Sequence, residues 1–257
     1  MVYLHAVRCS KVHPNMNCIF ENGQLFCAIV NAIKDLSGEA NLDFTTEGVY
    51  MQAMDSAHVS LCSLTLNQKL FKSYHCAENI SLGVNLKTLS MVLRGVKGEL
   101  KLSALGDKLH IEVSKLEGTA KYDLTLMDID SESLGLPDTV YPAICVLPSA
   151  TFAKIVKDLG DFSDTCRLHI KDNLTIAVNG DVGNINWQSG EECKCNVTEE
   201  TPALEFAMRY MCLFAKAAAV APKVVLGMAP NLPICLTFPI EDCGFLKFYL
   251  APKMLDD

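Results

Sequence analysis

The sequence predicts an α+β protein of two similar domains, each with two helices packed on antiparallel strands. Three observations carry that expectation. Short amphipathic helices are followed by runs of strand-like residues, this grammar occurs twice, and a long connector separates the two copies. In the first copy, residues Leu25 to Leu36 place apolar side chains at 25, 26, 29, 30, 33 and 36, a helical period. Strand-like runs follow at Ala40–Phe44, Val49–Met54 and Val59–Leu64, with a turn at Glu47-Gly48. Counting back from the helix, Met16–Phe20 is expected as an initial strand, which leaves residues 1–15 as an extension.

The same order returns at Phe152–Leu159, a helix, then Cys166–Ile170, a turn at Asp172-Asn173, Leu174–Val178 and Asn184–Trp187. Phe26 lies 22 positions before Gly48, and Phe152 lies 21 before Asn173. Both turns use residue types that tolerate positive φ. A second pair of units also matches. Asn85–Arg94 reads as a helix leading into Glu99–Ser103 and Leu109–Val113, around a Gly106-Asp107 turn. Leu204–Lys216 reads as a helix leading into Val224–Met228 and Ile234–Phe238, around Pro230-Asn231. The expected domains are 16–114 and 138–257, joined by a connector over 115–137 that carries an acidic stretch and the apolar anchors of Leu134-Gly-Leu-Pro137.

Composition narrows the function. Of 257 residues, half are apolar and a fifth charged, enough to bury a core. The net charge of −8 argues against a generally adhesive nucleic-acid binder, so any contact with DNA requires the basic residues to be confined to one face. The most apolar stretch, Met211–Met228, is broken by Lys216, Pro222 and Lys223, so no membrane span is expected. His5, Arg8, Lys11 and His13 near the amino terminus leave no continuous apolar run for a secretory signal. Most of the twelve cysteines sit inside apolar runs, as small buried hydrophobes of a reducing compartment do. A disulfide framework with glycosylated Asn79, Asn173 and Asn196 is the weaker alternative.

Catalytic and metal motifs are missing from the sequence. Cys193 and Cys195, with His169 at a distance, lack the second pair that a zinc site needs. Neither a phosphate-cradling Gly-Lys-Ser/Thr loop, nor Gly-x-Ser-x-Gly, nor His-Glu-x-x-His occurs. The expectation is a protein that is not an enzyme and uses no cofactor or metal.

Five strings go beyond pattern: Met51–Leu61 (MQAMDSAHVSL), Gly83–Leu86 (GVNL), Leu126–Asp130 (LMDID) with Leu134–Pro137 (LGLP), Phe206–Tyr210 (FAMRY) and Leu246–Lys253 (LKFYLAPK). In these strings, and in their order, the chain resembles the proliferating cell nuclear antigen (PCNA) family of DNA sliding clamps. The resemblance implies the ring-forming DNA clamp fold, a homotrimer whose twelve helices line a hole around duplex DNA, contacted without regard to sequence. It implies a nuclear processivity factor for DNA polymerase and a docking platform for the clamp loader and for replication and repair proteins carrying PCNA-interacting peptides. A subunit of the heterotrimeric DNA-damage checkpoint clamp, which shares the fold, is the alternative. Ring closure would pair the strand near Lys108–Val113 with a neighbour's strand near Asn184–Trp187.

Carried over residue by residue, DNA contact falls to Lys34, Lys87, Arg94, Lys154, Lys157, Arg209 and Lys216. The first helix departs from the family, with Cys27 and Ala28 where lysines are usual, and Met91 replaces another, so the second domain is expected to contribute more. The client pocket would comprise Met54, His58, Val59, Leu134, Leu136, Pro137, Pro233, Tyr249, Ala251 and Pro252. Lys171 matches the lysine that the family modifies with ubiquitin.

Overall fold

A computed structural model describes residues 16–130, 139–181 and 183–253. The first half runs β1 (Met16–Phe20), α1 (Gly23–Ile33), β2 (Glu39–Phe44), β3 (Gly48–Met54), β4 (Ser60–Asn67), β5 (Ser73–Cys76), β6 (Ile80–Asn85), α2 (Leu86–Val92), β7 (Leu100–Leu105), β8 (Lys108–Lys115) and β9 (Gly118–Thr125). The second half repeats that order as β10 (Ala143–Pro148), α3 (Ser149–Gly160), β11 (Thr165–Ile170), β12 (Leu174–Gly180), β13 (Gly183–Gln188), β14 (Lys194–Val197), β15 (Leu204–Ala207), α4 (Met208–Ala215), β16 (Lys223–Met228), β17 (Ile234–Pro239) and β18 (Gly244–Leu250). Among the described residues the duplication is therefore complete for α-helices and strands.

Local chemistry sets the helices. Asn22 starts α1 by accepting the Gln24 N–H at 3.0 Å, and Asn85 starts α2 by accepting the Thr88 N–H at 2.9 Å. In α1 the buried residues Phe26, Ile29, Val30 and Ile33 form one stripe, and Phe152, Ile155, Val156 and Leu159 repeat it in α3. The helices pack side by side in the order α2, α1, α4, α3, with the sheets behind them.

Two expected elements differ. Residues 118–125, read as the start of the connector, form β9 and pair with β8 along its whole length. Their alternation of Ala120, Tyr122 and Leu124 half-buried against exposed neighbours is a strand period, which the Glu117-Gly118 turn and the acid-rich stretch beyond it obscured. Residues 204–207, read as helix, form β15 against β11, with Phe206 buried opposite Cys166; the helix begins only at Met208. The expected strand Met16–Phe20 is present as β1; residues 1–15 lie outside the described residues.

Three sheets result. Their strand orders are β5-β1-β7-β8-β9, then β14-β10-β16-β17-β18-β4-β3-β2-β6, then β13-β12-β11-β15. The nine-stranded sheet is a five-stranded unit of the second half fused to a four-stranded unit of the first. The fusion is the antiparallel seam between β18 and β4, from Gly244 opposite Leu66 to Leu250 opposite Ser60. Beyond β9 the chain turns back over β6: the Met127 N–H donates to the Gly83 carbonyl at 2.8 Å, and Asn41 Nδ2 donates to the Ile129 carbonyl at 3.0 Å. A Cβ on Gly83 would lie 2.1 Å from the Met127 oxygen, so only glycine lets the segment seat there. Gly83→Val is expected to lift residues 126–130 from β6 at a cost of about 1–3 kcal/mol. Faster hydrogen exchange at the Met127 amide would register it; unchanged protection would refute the assignment.

Candidate functional sites

Two surfaces gather the expected residues. The first is the outward side of the helix layer. Lys87, Met91 and Arg94 share one exposed stripe along and just beyond α2, at spacings of four and three. Lys154 and Lys157 are exposed on α3, Arg209 on α4, and Lys216 in the turn that ends it. Lys34 is half-buried, donating to Asn31 Oδ1 at 2.9 Å and Ser90 Oγ at 3.0 Å, and so ties α1 to α2. Lys216 Nζ bonds Asp35 Oδ2 at 2.7 Å, holding that carboxyl below its usual range and joining the two halves. Asp158 and Asp161 are exposed beside the two α3 lysines. All seven basic residues thus lie on one layer, with three of them, Lys34, Arg209 and Lys216, engaged within the chain.

The second surface is a cavity of about 240 Å³ directly over the seam. Of the expected residues, Met54, His58, Val59, Pro233, Tyr249 and Ala251 line it. Pro252 follows Ala251 but does not line it, and Leu134, Leu136 and Pro137 lie outside the described residues. The floor follows from strand pairing, since Leu61 stands between Met54 on β3 and Tyr249 on β18. Ser60, Leu61, Thr139, Tyr141 and Leu232 complete the lining and were not anticipated. Tyr141 Oη donates to the Pro233 carbonyl at 3.1 Å, and its ring covers Gly227, where a Cβ would come within 2.7 Å of the ring. A glycine inside the Val224–Met228 strand was the available signal for that close approach.

The rim at residues 55–60 is organised by Asp55, which the sequence reading also passed over. Its Oδ1 accepts the Val59 and Ser60 N–H groups at 3.0 and 2.7 Å; its Oδ2 accepts the Ala57 N–H at 3.1 Å and Tyr210 Oη at 2.6 Å. Burial pushes the Asp55 carboxyl up, but the Tyr210 hydroxyl and the three backbone donors outweigh it and leave the acid below its usual range. The loop holds His58 in the left-handed region, φ 58°. Tyr210 is buried at the start of α4, and its neighbour Arg209 reaches back to it, Nη2 lying 3.2 Å from the hydroxyl. The carboxylate that shapes the pocket rim is therefore linked to the basic helix face through one buried tyrosine.

Lys171 is exposed at the β11–β12 hairpin, 3.3 Å from Glu200. Among the described residues no cluster of His, Cys, Asp and Glu is arranged for a metal, and no helix is long and apolar enough to cross a membrane.

A duplicated unit of two helices backed by antiparallel sheets, with its helices in one layer, is the DNA clamp fold. The model described as the N-terminal domain of proliferating cell nuclear antigen matches residues 16–133, and that of its C-terminal domain matches residues 135–253. The chain belongs to the proliferating cell nuclear antigen family of sliding clamps.

Proposed function

We propose that this chain is the subunit of a homotrimeric replicative clamp, which encircles duplex DNA in the nucleus and acts as a polymerase processivity factor and docking platform. The observation that carries the reading is the seam. Within the chain, the last strand of a five-stranded unit, β18, pairs with the first strand of a four-stranded unit, β4. The duplicate of β18 is β9, and that of β4 is β13; both are sheet edges in the single chain. Exposed edges of this kind call for a partner, and each is the shape that the other's twin already accepts. Repeating the join between chains gives a head-to-tail contact that closes on itself. The expected use of the Lys108–Val113 strand is corrected here, because β8 is paired on both sides, by β7 and β9.

Transferring the register of the internal seam sets Gly118 opposite Ser189, Ala120 opposite Trp187 and Tyr122 opposite Ile185 of the next copy. In the single chain, Ala120, Tyr122, Ile185 and Trp187 are all half-buried, whereas their counterparts Leu246, Phe248, Cys62 and Leu64 are fully buried. The uncovered apolar side chains thus fall where a neighbour would cover them. Native mass spectrometry of the purified protein alone tests the proposal: a homotrimer supports it. A monomer would favour the second reading, a subunit of the heterotrimeric checkpoint clamp.

In such a ring the helix layer faces the DNA and needs phosphate attraction without base readout. Charge reversal at Lys154 and Lys157 is expected to weaken clamp-dependent polymerase stimulation by roughly tenfold at moderate salt. Unchanged primer extension would count against that use of α3. The cavity over the seam suits a short peptide turn with aliphatic and aromatic anchors. Exposed Lys171 is the proposed site of ubiquitin attachment.

A further inference from the structure

Cysteines 145 and 195 serve none of these purposes, yet their placement is particular. Cys145 lies on β10 and Cys195 on β14, directly opposite one another in the antiparallel ladder. No other cysteines among the described residues face each other across paired strands. The Thr198 N–H donates to the Pro142 carbonyl at 2.8 Å, which makes 142 and 198 a hydrogen-bonded pair. Alternation then makes 145 and 195 a non-hydrogen-bonded pair. Their Cα atoms are therefore about 4.5 Å apart and their side chains at the closest approach that a sheet provides. That spacing falls within the roughly 4.4–6.8 Å a disulfide bridges. Both thiols are free and within hydrogen-bonding reach of each other.

Access is asymmetric. Cys145 is fully buried, while Cys195 is half-exposed on β14, the terminal strand of the nine-stranded sheet, whose only ladder partner among the described residues is β10. Burial pushes the Cys145 thiol up, so it stays protonated until a partner presents itself. Cys193 lies two residues earlier, in the turn that precedes β14, and is not opposite Cys145.

We propose that Cys195 and Cys145 form a reversible, peroxide-sensitive disulfide that staples the outer edge strand β14 to the sheet. A peroxide transfers one oxygen to the Cys195 sulfur: the O–O bond breaks, Cys195–SH becomes Cys195–SOH, and water leaves. The Cys145 sulfur then attacks the Cys195 sulfur; the S–O bond breaks, an S–S bond forms, and the Cys145 proton leaves with the hydroxyl as a second water. Two thiols are oxidised, one peroxide is reduced, and a dithiol returns the pair to its starting state.

The test treats the folded full-length protein with hydrogen peroxide, alkylates the remaining thiols under denaturing conditions, and maps peptides without reduction. The expected result is the loss of two alkylatable thiols per chain and a linked peptide pair carrying Cys145 and Cys195. Its melting temperature should rise and fall back with dithiothreitol. Cys193→Ser should leave the linked pair intact. Cys195→Ser, which changes a half-exposed position and so spares the core, should abolish it and return Cys145 to the alkylated pool. A Cys193–Cys195 link, a link between chains, or full alkylation of both cysteines after oxidation would each overturn the proposal.

Discussion

Ala120→Arg is expected to convert the proposed ring into single chains while leaving each chain folded. In the single chain Ala120 is half-exposed on an edge strand, so a longer side chain has solvent to enter and the fold is spared. In the joint, transferred register sets it against Trp187 of the next copy, on the side where the internal seam buries Leu246 against Leu64. A guanidinium placed there has no anion to meet, and an unpaired charge in such a site costs several kcal/mol even after relaxation. Each ~1.4 kcal/mol is tenfold in association, and a closed ring incurs the penalty at every joint. Sedimentation velocity should show one slow species, with the circular dichroism of the parent. Thr119→Arg is the control, since Thr119 is exposed on the opposite side of the same strand. If Ala120→Arg still assembles while folded, the register is wrong.

Asp55→Ala is expected to leave fold and assembly in place and to lower affinity for a client peptide by about a hundredfold. The side chain satisfies three backbone donors and the Tyr210 hydroxyl. Hydrogen bonds to a charged acceptor contribute roughly 1.5–3 kcal/mol each in favourable cases, and removing the acceptor leaves buried donors unmet. The loop that presents His58 and Val59 to the cavity would then lose its left-handed turn. Tyr210→Phe removes one of these bonds and should cost less, about tenfold. Calorimetric titration with a peptide bearing aliphatic and aromatic anchors measures both; unchanged affinity for Asp55→Ala would remove the loop from the binding account. The acidity follows with a definite sign. Because the folded-state carboxyl is held below its unfolded value, its contribution is complete above the unfolded pKa of about 3.9. It is lost only as pH falls through the lower folded value. The Asp55 contribution to binding should therefore hold from neutrality down towards about pH 4.

Much of the architecture was legible because helices and inner strands announce themselves by period. The stripe Phe26, Ile29, Val30, Ile33 and its copy in α3 could be read directly. The beginning of α4 could not, because Leu204 and Phe206 satisfy a strand period while the following Met208, Met211 and Phe214 satisfy a helical one, and the two merge without a break. The edge strand β9 carries only Ala120, Tyr122 and Leu124 on its inner side, a weak signal in one chain because half of its burial would come from another. Met54, His58, Val59, Tyr249 and Ala251, all on the quoted strings, line the cavity, whereas residues whose part depends on a distant partner were passed over. Asp55 acquires its meaning from Tyr210, 155 positions away, and Tyr141 from the bare backbone of Gly227. The basic residues were carried over from the family resemblance, which has no means to reveal that Lys216 is held by Asp35.

The seam described above also sets a valency. Duplication would supply two equivalent hollows per chain, one over the β18–β4 seam and one over the joint that β9 and β13 would make. At the second, the positions of Met54, Leu61, Pro233 and Tyr249 are taken by Asn179, Asn184, Lys108 and Asp123, all exposed and polar. The geometry was copied and the apolar lining was not. A ring of three such chains would offer three docking positions rather than six, each one whole within a single subunit, so that clients compete for the same three places whichever way the joints are arranged.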